Sequence, residues 1–221
     1  MSQPIVKVII PGIPLKTKFG GIGYCSISLI KDGKDVILFD VGHYAVREKI
    51  IDTLKKYKIN KVFISHLHYD HCLNIDLFVK KGIKIYLNEK EFLCLDKIKK
   101  EDVYTFKYFK NIVSSKNLVL FNGEFNISKN VSAIETIGHT SGHSSLIFKM
   151  KNKHCIVAGD AIKTYKDYKN ITSFDVVPFS VSALIKTKKE IVYNFDIIIP
   201  GHSGAIINGK KPSEEAVFYE F

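Results

Sequence analysis

The sequence has no tryptophan, a single arginine (Arg47) and a single glutamine (Gln3) among its 221 residues. Its four cysteines, Cys25, Cys72, Cys94 and Cys155, are scattered, and no two of them form a C-x-x-C pair. With no export signal in view, they are expected to be free buried thiols rather than bridges. With 14 glycines and 6 prolines the chain is neither collagen-like nor of disordered composition. No apolar run approaches the roughly 18 residues that read as a membrane helix, so no membrane partner is expected. The first residues, Met1-Ser2-Gln3-Pro4, lack a basic segment followed by an apolar stretch, and a cytoplasmic protein is expected. The shortage of arginine also weighs against one obvious partner. A net charge of +11 would suit a polyanion. Nearly all of that charge is lysine, however, and nucleic-acid surfaces favour the planar fork of arginine. The lysines are spread out, with only short clusters such as Lys186-Thr187-Lys188-Lys189. A solvated lysine surface is therefore the leading reading, and nucleic acid is the second choice of partner after a small-molecule substrate. What remains is ordinary for a globular protein: 46% hydrophobic and 25% charged residues in 25.1 kDa, enough for one domain over 1–221.

The pattern alternates between strands and helices. Strands are predicted at Ile5–Ile10, Tyr24–Ile30 and Val36–Asp40, the last two forming a hairpin through Asp32-Gly33. Val46, Ile50, Ile51 and Leu54 fall at helical spacing within 43–57. A short buried strand, Val62–Ser65, leads into a polar loop, His66–Asn74. Helix, strand and helix follow at Asp76–Lys80, Ile83–Leu87 and Glu89–Asp96. Strands return at Leu118–Phe121, Val131–Ile137, Ser145–Met150 and His154–Ala158. A helix from Val181 to about Tyr193 precedes the strand Phe195–Pro200. This order predicts two similar halves, each a sheet with helices on its outer face. Packed sheet to sheet, they make a four-layer αββα sandwich of the α/β class.

Chemistry concentrates in His66-Leu67-His68-Tyr69-Asp70-His71, directly after a buried strand. Imidazole and carboxylate are donors suited to Zn²⁺, Fe or Mn ions. On an irregular loop His66 and His68 can point one way while Asp70 and His71 turn toward a neighbouring position. Further donors follow other strands: His139 in Gly138-His139-Thr140-Ser141-Gly142-His143, Asp160 in Ala158-Gly159-Asp160, and His202 in Pro200-Gly201-His202. Each stands beside a glycine, which lets backbone approach closely. Alone, each would read as a turn or a loop histidine. Together they point to a common cleft at strand ends.

In these motifs and their order the chain resembles the metallo-β-lactamase superfamily, from Phe39-Asp40-Val41-Gly42 to Pro200-Gly201-His202. The resemblance implies the αββα sandwich and a dinuclear centre at one edge between the sheets. It implies that His66, His68 and His139 hold one metal, that Asp70, His71 and His202 hold the other, and that Asp160 bridges them. Two divalent ions are implied, Zn²⁺ first, with Fe or Mn also accepted by this set. Cys72 is then not needed as a ligand and is expected in the core. Asp40 falls where the family keeps a carboxylate that orients a ligating histidine. Capping of the helix near His43 is the competing reading of Asp40. His143 is expected to be structural, and His43 and His154 to lie at the surface.

The resemblance also narrows the chemistry. The position of Asp160 is Cys or Ser in true β-lactamases of this fold, so antibiotic hydrolysis is not expected. A glutathione-binding C-terminal region and the large insertions of RNA-processing members are not in this sequence. The implied activity is a metal-dependent hydrolase that uses a metal-bridging hydroxide on a carboxylic ester, thioester or lactone. The alternative is a phosphodiesterase or ribonuclease of the same superfamily. Asp70 is the expected catalytic carboxylate, orienting the hydroxide and taking its proton. Tyr165 and Lys163 compete as helpers at the substrate oxygen, and packing is the slightly favoured role for Tyr165. Val103–Phe109 is expected either as a pocket wall or as a half-buried strand.

Overall fold

The structure, a computed structural model, describes residues 3–18, 20–21, 23–95, 105, 107, 109–110 and 116–210. Two six-stranded sheets form its centre. The first orders β1 (Ile5–Ile10), β4 (Ile27–Asp32), β5 (Asp35–Phe39), β6 (Lys61–Phe63), β7 (Lys84–Asn88) and β8 (Leu118–Phe121). The second orders β14 (Ile206–Ile207), β13 (Ile197–Pro200), β12 (Lys153–Gly159), β11 (Ser144–Met150), β10 (Val131–Glu135) and β9 (Phe125–Asn126). A two-stranded ribbon, β2 (Lys16–Thr17) with β3 (Gly20–Gly21), stands apart. Helices among the described residues include α1 (Arg47–Lys56), α2 (Tyr69–Cys72), α3 (Asp76–Val79), α4 (Glu89–Leu93), α5 (Tyr165–Lys169) and α6 (Val181–Asn194). Among the described residues no helix is long and apolar enough to cross a membrane.

The layers follow from side-chain alternation along strands buried on both faces. In β5, Ile37 and Phe39 face the second sheet while Leu38 faces the helices; in β13, Ile197 and Ile199 face the first sheet while Ile198 faces outward. The inner cluster therefore joins Val6, Val8, Phe39 and Phe63 of one sheet to Val131, Leu146, Phe148 and Val157 of the other. Phe39, Phe63, Phe121 and Phe125 form a row of stacked rings there, with centroids 5.4, 5.7 and 5.7 Å apart. An outer cluster packs Leu38, Val62 and Ile85 against Ile50 of α1 and Phe78 of α3. The opposite outer cluster packs Ile156, Ala158 and Ile198 against Ile191 of α6. This is the αββα sandwich.

Strand direction is what gathers the site. β5 and β6 are parallel, as are β12 and β13, and β10 runs antiparallel to β11, which runs antiparallel to β12. The chain segments after β5, β6, β10, β12 and β13 thus emerge at one edge.

Some boundaries moved from expectation. The hairpin turns at Gly33-Lys34, with Gly33 at φ 60°, and β4 runs Ile27–Asp32. The helix expected over 43–57 divides into a 3-10 turn, Tyr44–Val46, and α1, because the His43 side chain accepts from the Ala45 amide and starts a separate turn. The loop His66–Asn74 contains the helical turn α2. β10 stops at Glu135, and β9, β14 and α5 had no sequence expectation. In Val103–Phe109 the described residues Thr105, Lys107 and Phe109 are helical rather than extended, and Thr105 and Phe109 are buried; the remainder lies outside the described residues.

Candidate metal centre

The loop after β6 is pinned before it reaches its histidines. Asp40 directly follows β5 with a left-handed φ of 58°, a conformation that Asp tolerates better than most residues. That turn aims its buried carboxylate at the loop. Oδ1 accepts from the Ser65 amide at 2.8 Å, and Oδ2 accepts from Ser65 Oγ at 2.8 Å and His71 Nδ1 at 2.7 Å. The two amides of Val41 and Gly42 donate to the His71 carbonyl at 2.9 and 3.2 Å. Asp40 therefore orients His71 and does not cap the helix near His43; His43 itself fills that cap. With its Nδ1 donating to Asp40, His71 turns its Nε2, which has no hydrogen-bond partner, to the cleft. Ser65 Oγ, having spent its proton on Asp40, accepts from His66 Nδ1 at 3.0 Å, which leaves His66 Nε2 bare as well.

Two groups of donors result. His66 Nε2 lies 2.9 Å from His68 Nδ1, which lies 3.1 Å from His139 Nε2. On the other side His202 Nε2 lies 3.2 Å from Asp70 Oδ2, and His71 Nε2 lies 3.7 Å from the same oxygen. Asp160 stands between them and divides its two oxygens. Oδ1 is 3.4 Å from both His71 Nε2 and His202 Nε2, while Oδ2 is 3.4 Å from His139 Nε2. Gly201 makes this approach possible: a Cβ there would stand 2.0 Å from Asp160 Oδ1. All seven predicted residues meet in one place.

The donor set fits divalent cations. His71 Nε2, Asp160 Oδ1 and both ring nitrogens of His202 are buried without a hydrogen-bond partner, although buried polar groups are rarely left unpaired. Spacings of 2.9–3.4 Å also approach the roughly 3.4 Å between ligand atoms around a tetrahedral ion with bonds near 2.1 Å. Electrostatics separate the two groups. Burial holds His66, His68 and His139 below the usual histidine range, so these rings are neutral donors. Burial also works to raise the Asp70 and Asp160 carboxyls, but it is outweighed. His71 and His202 bring Asp70 to about 2, and the same two rings hold Asp160 well below the carboxylate range. Conversely, burial would lower His202, yet Asp160 and Asp70 push it up to about 9.

Other residues fall into place around this set. His143 is buried, with Nδ1 2.8 Å from Thr136 Oγ1 and Nε2 accepting from the Asp160 amide at 3.1 Å. It positions Asp160 and belongs to neither donor group. Cys72 is in the core cluster; none of the four cysteines is in a disulfide, and Cys94 is half-buried where the other three are buried. Cys25 lies beneath His71 and Asp40, where burial pushes its thiol up to about 12. Tyr165 stacks on Tyr168 in the outer layer, so it is a packing residue. Lys163 is at the site, its Nζ 4.0 Å from Asp160 Oδ2 and 2.9 Å from Asp175. His43 is half-buried, its Nε2 donating to the Gly23 carbonyl at 3.1 Å, and His154 is exposed. Sequence reasoning missed Ser65 and Glu91. Ser65 had a signal, a hydroxyl directly before H-x-H; Glu91 reads in sequence as one more charge at a helix start.

Residues 20–202 match the sequence profile of the metallo-β-lactamase superfamily. The chain belongs to it. Among curated relatives, ribonuclease Z of Methanococcus maripaludis (strain C7) is 28% identical over 179 residues, covering 72% of this chain and 56% of the relative. An N-acyl homoserine lactonase from Bacillus sp. is 25% identical over 146 residues, covering 64% of this chain and 54% of the relative. The chain thus spans about half the length of the curated relatives it matches. Among solved structures, a protein described as a metallo-β-lactamase from Thermotoga maritima superposes with a TM-score of 0.72 at 18% identity, over 93% of this chain and all of that one. An N-acyl homoserine lactone hydrolase, with N-hexanoyl-L-homoserine at its catalytic metal centre, gives 0.68 at 18% identity over 91% and 93% of the two chains. At these identities the superpositions speak for the fold.

Proposed function

We propose that this superfamily member is a metal-dependent hydrolase that cleaves a carboxylic ester, thioester or lactone at a two-cation centre. His66, His68 and His139 would hold one cation, Asp70, His71 and His202 the other, and Asp160 both. The observation that carries this reading is the division of the Asp160 carboxylate, with one oxygen turned to each donor group. Divalent cations held there, zinc before iron or manganese, would make hydroxide available near neutral pH and offset negative charge developing on a substrate oxygen.

The chain's own side chains supply the rest. Asp70 is half-buried and stays ionised, so its carboxylate orients the attacking water and takes up its proton. Lys163 stays protonated: burial works against its charge, but Asp160 and Asp175 outweigh it. It would hold a substrate oxygen at the mouth of the site. Asp40 and Ser65 fix the rings of His71 and His66, so these donors need no rearrangement when substrate arrives.

The preference for an acyl substrate rests on two features. Arg47, the chain's single arginine, is bound to Asp76 in a two-bond fork at 2.7 and 2.8 Å and does not face the site. Beside His139, whose carbonyl accepts from the Phe179 amide, the exposed residues Val176, Val177 and Phe179 give an apolar rim. The second reading, a phosphodiesterase or ribonuclease, draws on the ribonuclease Z relatives and the +11 charge. A panel of thioesters, lactones, aryl esters, phosphodiesters and single-stranded RNA, run with metal-reconstituted protein at two salt concentrations, separates them. Hydrolysis of an ester, thioester or lactone that changes little with salt is expected. RNA cleavage that weakens steeply as salt rises, with no acyl substrate turned over, would replace the first reading by the second.

A further inference from the structure

Glu91 is almost fully buried, with 1% exposure, in the short helix α4. The start of that helix is fixed by Asn88, whose side chain accepts from the Lys90 amide at 2.8 Å. The Glu91 carboxylate reaches two loops of different origin. Oε2 accepts from the Leu67 amide at 3.1 Å, between His66 and His68 in the loop after β6 of the first sheet. Oε1 accepts from the Gly142 amide at 2.9 Å and from Thr140 Oγ1, on either side of Ser141 and just past His139 in the loop after β10 of the second sheet. Gly142 is fitted to this contact, since a Cβ there would stand 2.5 Å from the Glu91 nitrogen.

Its hydrogen bonds come from two amides and a hydroxyl, all neutral donors. Burying a carboxylate is costly, and charge-assisted bonds offset that cost only when each is well made. The arrangement has a consequence for the site. The three histidines His66, His68 and His139 come from two sheets that share no ladder, so their spacing depends on what ties the loops together. One tie is the backbone bond from the Ser144 amide to the Ser65 carbonyl at 3.0 Å, at the base of both loops. Glu91 is the tie beside the histidines themselves. A carboxylate suits the task because both its oxygens accept. An amide would turn its NH₂ toward the Leu67 amide or toward the Gly142 amide, and lose one loop.

We propose that Glu91 is a positioning residue of the metal centre, holding His66 and His68 in register with His139 so that the three-histidine position binds its cation tightly. The proposal rests on the ligand assignment given above. Its test measures zinc affinity by competition with a chromophoric chelator for the wild type, Glu91→Gln, Thr140→Val and His68→Ala. Unfolding of each metal-free protein is followed alongside. In Glu91→Gln, one of two zinc ions is expected to weaken by roughly 10–100-fold, the range for partners that orient metal ligands. The second ion should keep its affinity, and the metal-free protein should unfold close to the wild-type temperature. Thr140→Val removes one donor of three and should shift the same ion by less, which keeps the proposal open to refutation if Glu91→Gln does not fold. Wild-type affinity for both ions in Glu91→Gln, while His68→Ala loses one, would overturn the role of Glu91 alone. So would equal weakening of both ions in step with a loss of stability. A wild-type protein that binds no zinc would overturn the ligand assignment and this role with it.

Discussion

Asp160→Asn is expected to keep the fold and lose most of the turnover. The carboxylate lies within 3.4 Å of three imidazoles, with Lys163 Nζ 4.0 Å away. An asparagine in the same place has one accepting oxygen and one NH₂. Whichever way the amide turns, one donor group faces N–H hydrogens in place of a negative oxygen, and the negative charge shared by both groups is gone. The loss should exceed the roughly 10–100-fold that accompanies removal of an outer partner of a metal ligand, because Asp160 is proposed as a ligand itself. The fold should survive because the backbone at this position is held independently, by the Asp160 amide donating to His143 and the Gly201 amide donating to the Ile162 carbonyl at 3.0 Å. Turnover, metal content and circular dichroism are measured together. Wild-type turnover with a full metal complement would refute the bridging role.

Removing metal with a chelator is expected to abolish activity and lower the unfolding temperature by about 10 °C for each ion lost. The size follows from linkage. A ligand present at about 1,000 times its dissociation constant stabilises the folded state by about 4 kcal/mol. For a chain of this length about 1 kcal/mol shifts the transition by roughly 2–4 °C. The structural reason is that the metal-free site contains buried groups facing one another without compensation. The nitrogens of His66, His68 and His139 converge within 3.1 Å of their neighbours, and His71, Asp160 and His202 have unpaired buried atoms. Scanning calorimetry at a series of free zinc concentrations measures the shift. A transition that does not move with zinc would contradict it.

Much of this site was legible in the sequence, and the reason is local. His66, His68, Asp70 and His71 sit within one loop, and His139, Asp160 and His202 each follow a strand beside a glycine, so short-range patterns sufficed. The two-sheet architecture was readable because strands such as β5, apolar after Asp35, and β13, apolar throughout, require cover on both faces. What was hidden depended on contacts between distant segments. The reach of Glu91 to Leu67 and Gly142 spans 24 and 51 residues, and nothing adjacent in the chain marks it. The same holds for Asp32, which ties the first sheet to Ser128 and Asn130 of the second. Asp40 could be read two ways from sequence, and only its left-handed backbone decided for His71 over a helix cap. Tyr165 and Lys163 were separated by geometry alone, one ring turned to the outer layer and one ammonium turned to Asp160.

Seven side chains from two sheets are proposed to hold two cations, and metal counting is the plainest check. Protein reconstituted with excess zinc, then freed of loose ions by gel filtration, is analysed for metal beside its concentration. About two ions per chain are expected, as a two-metal hydrolytic site requires. A reproducible value near zero after reconstitution, with the protein folded, would contradict it.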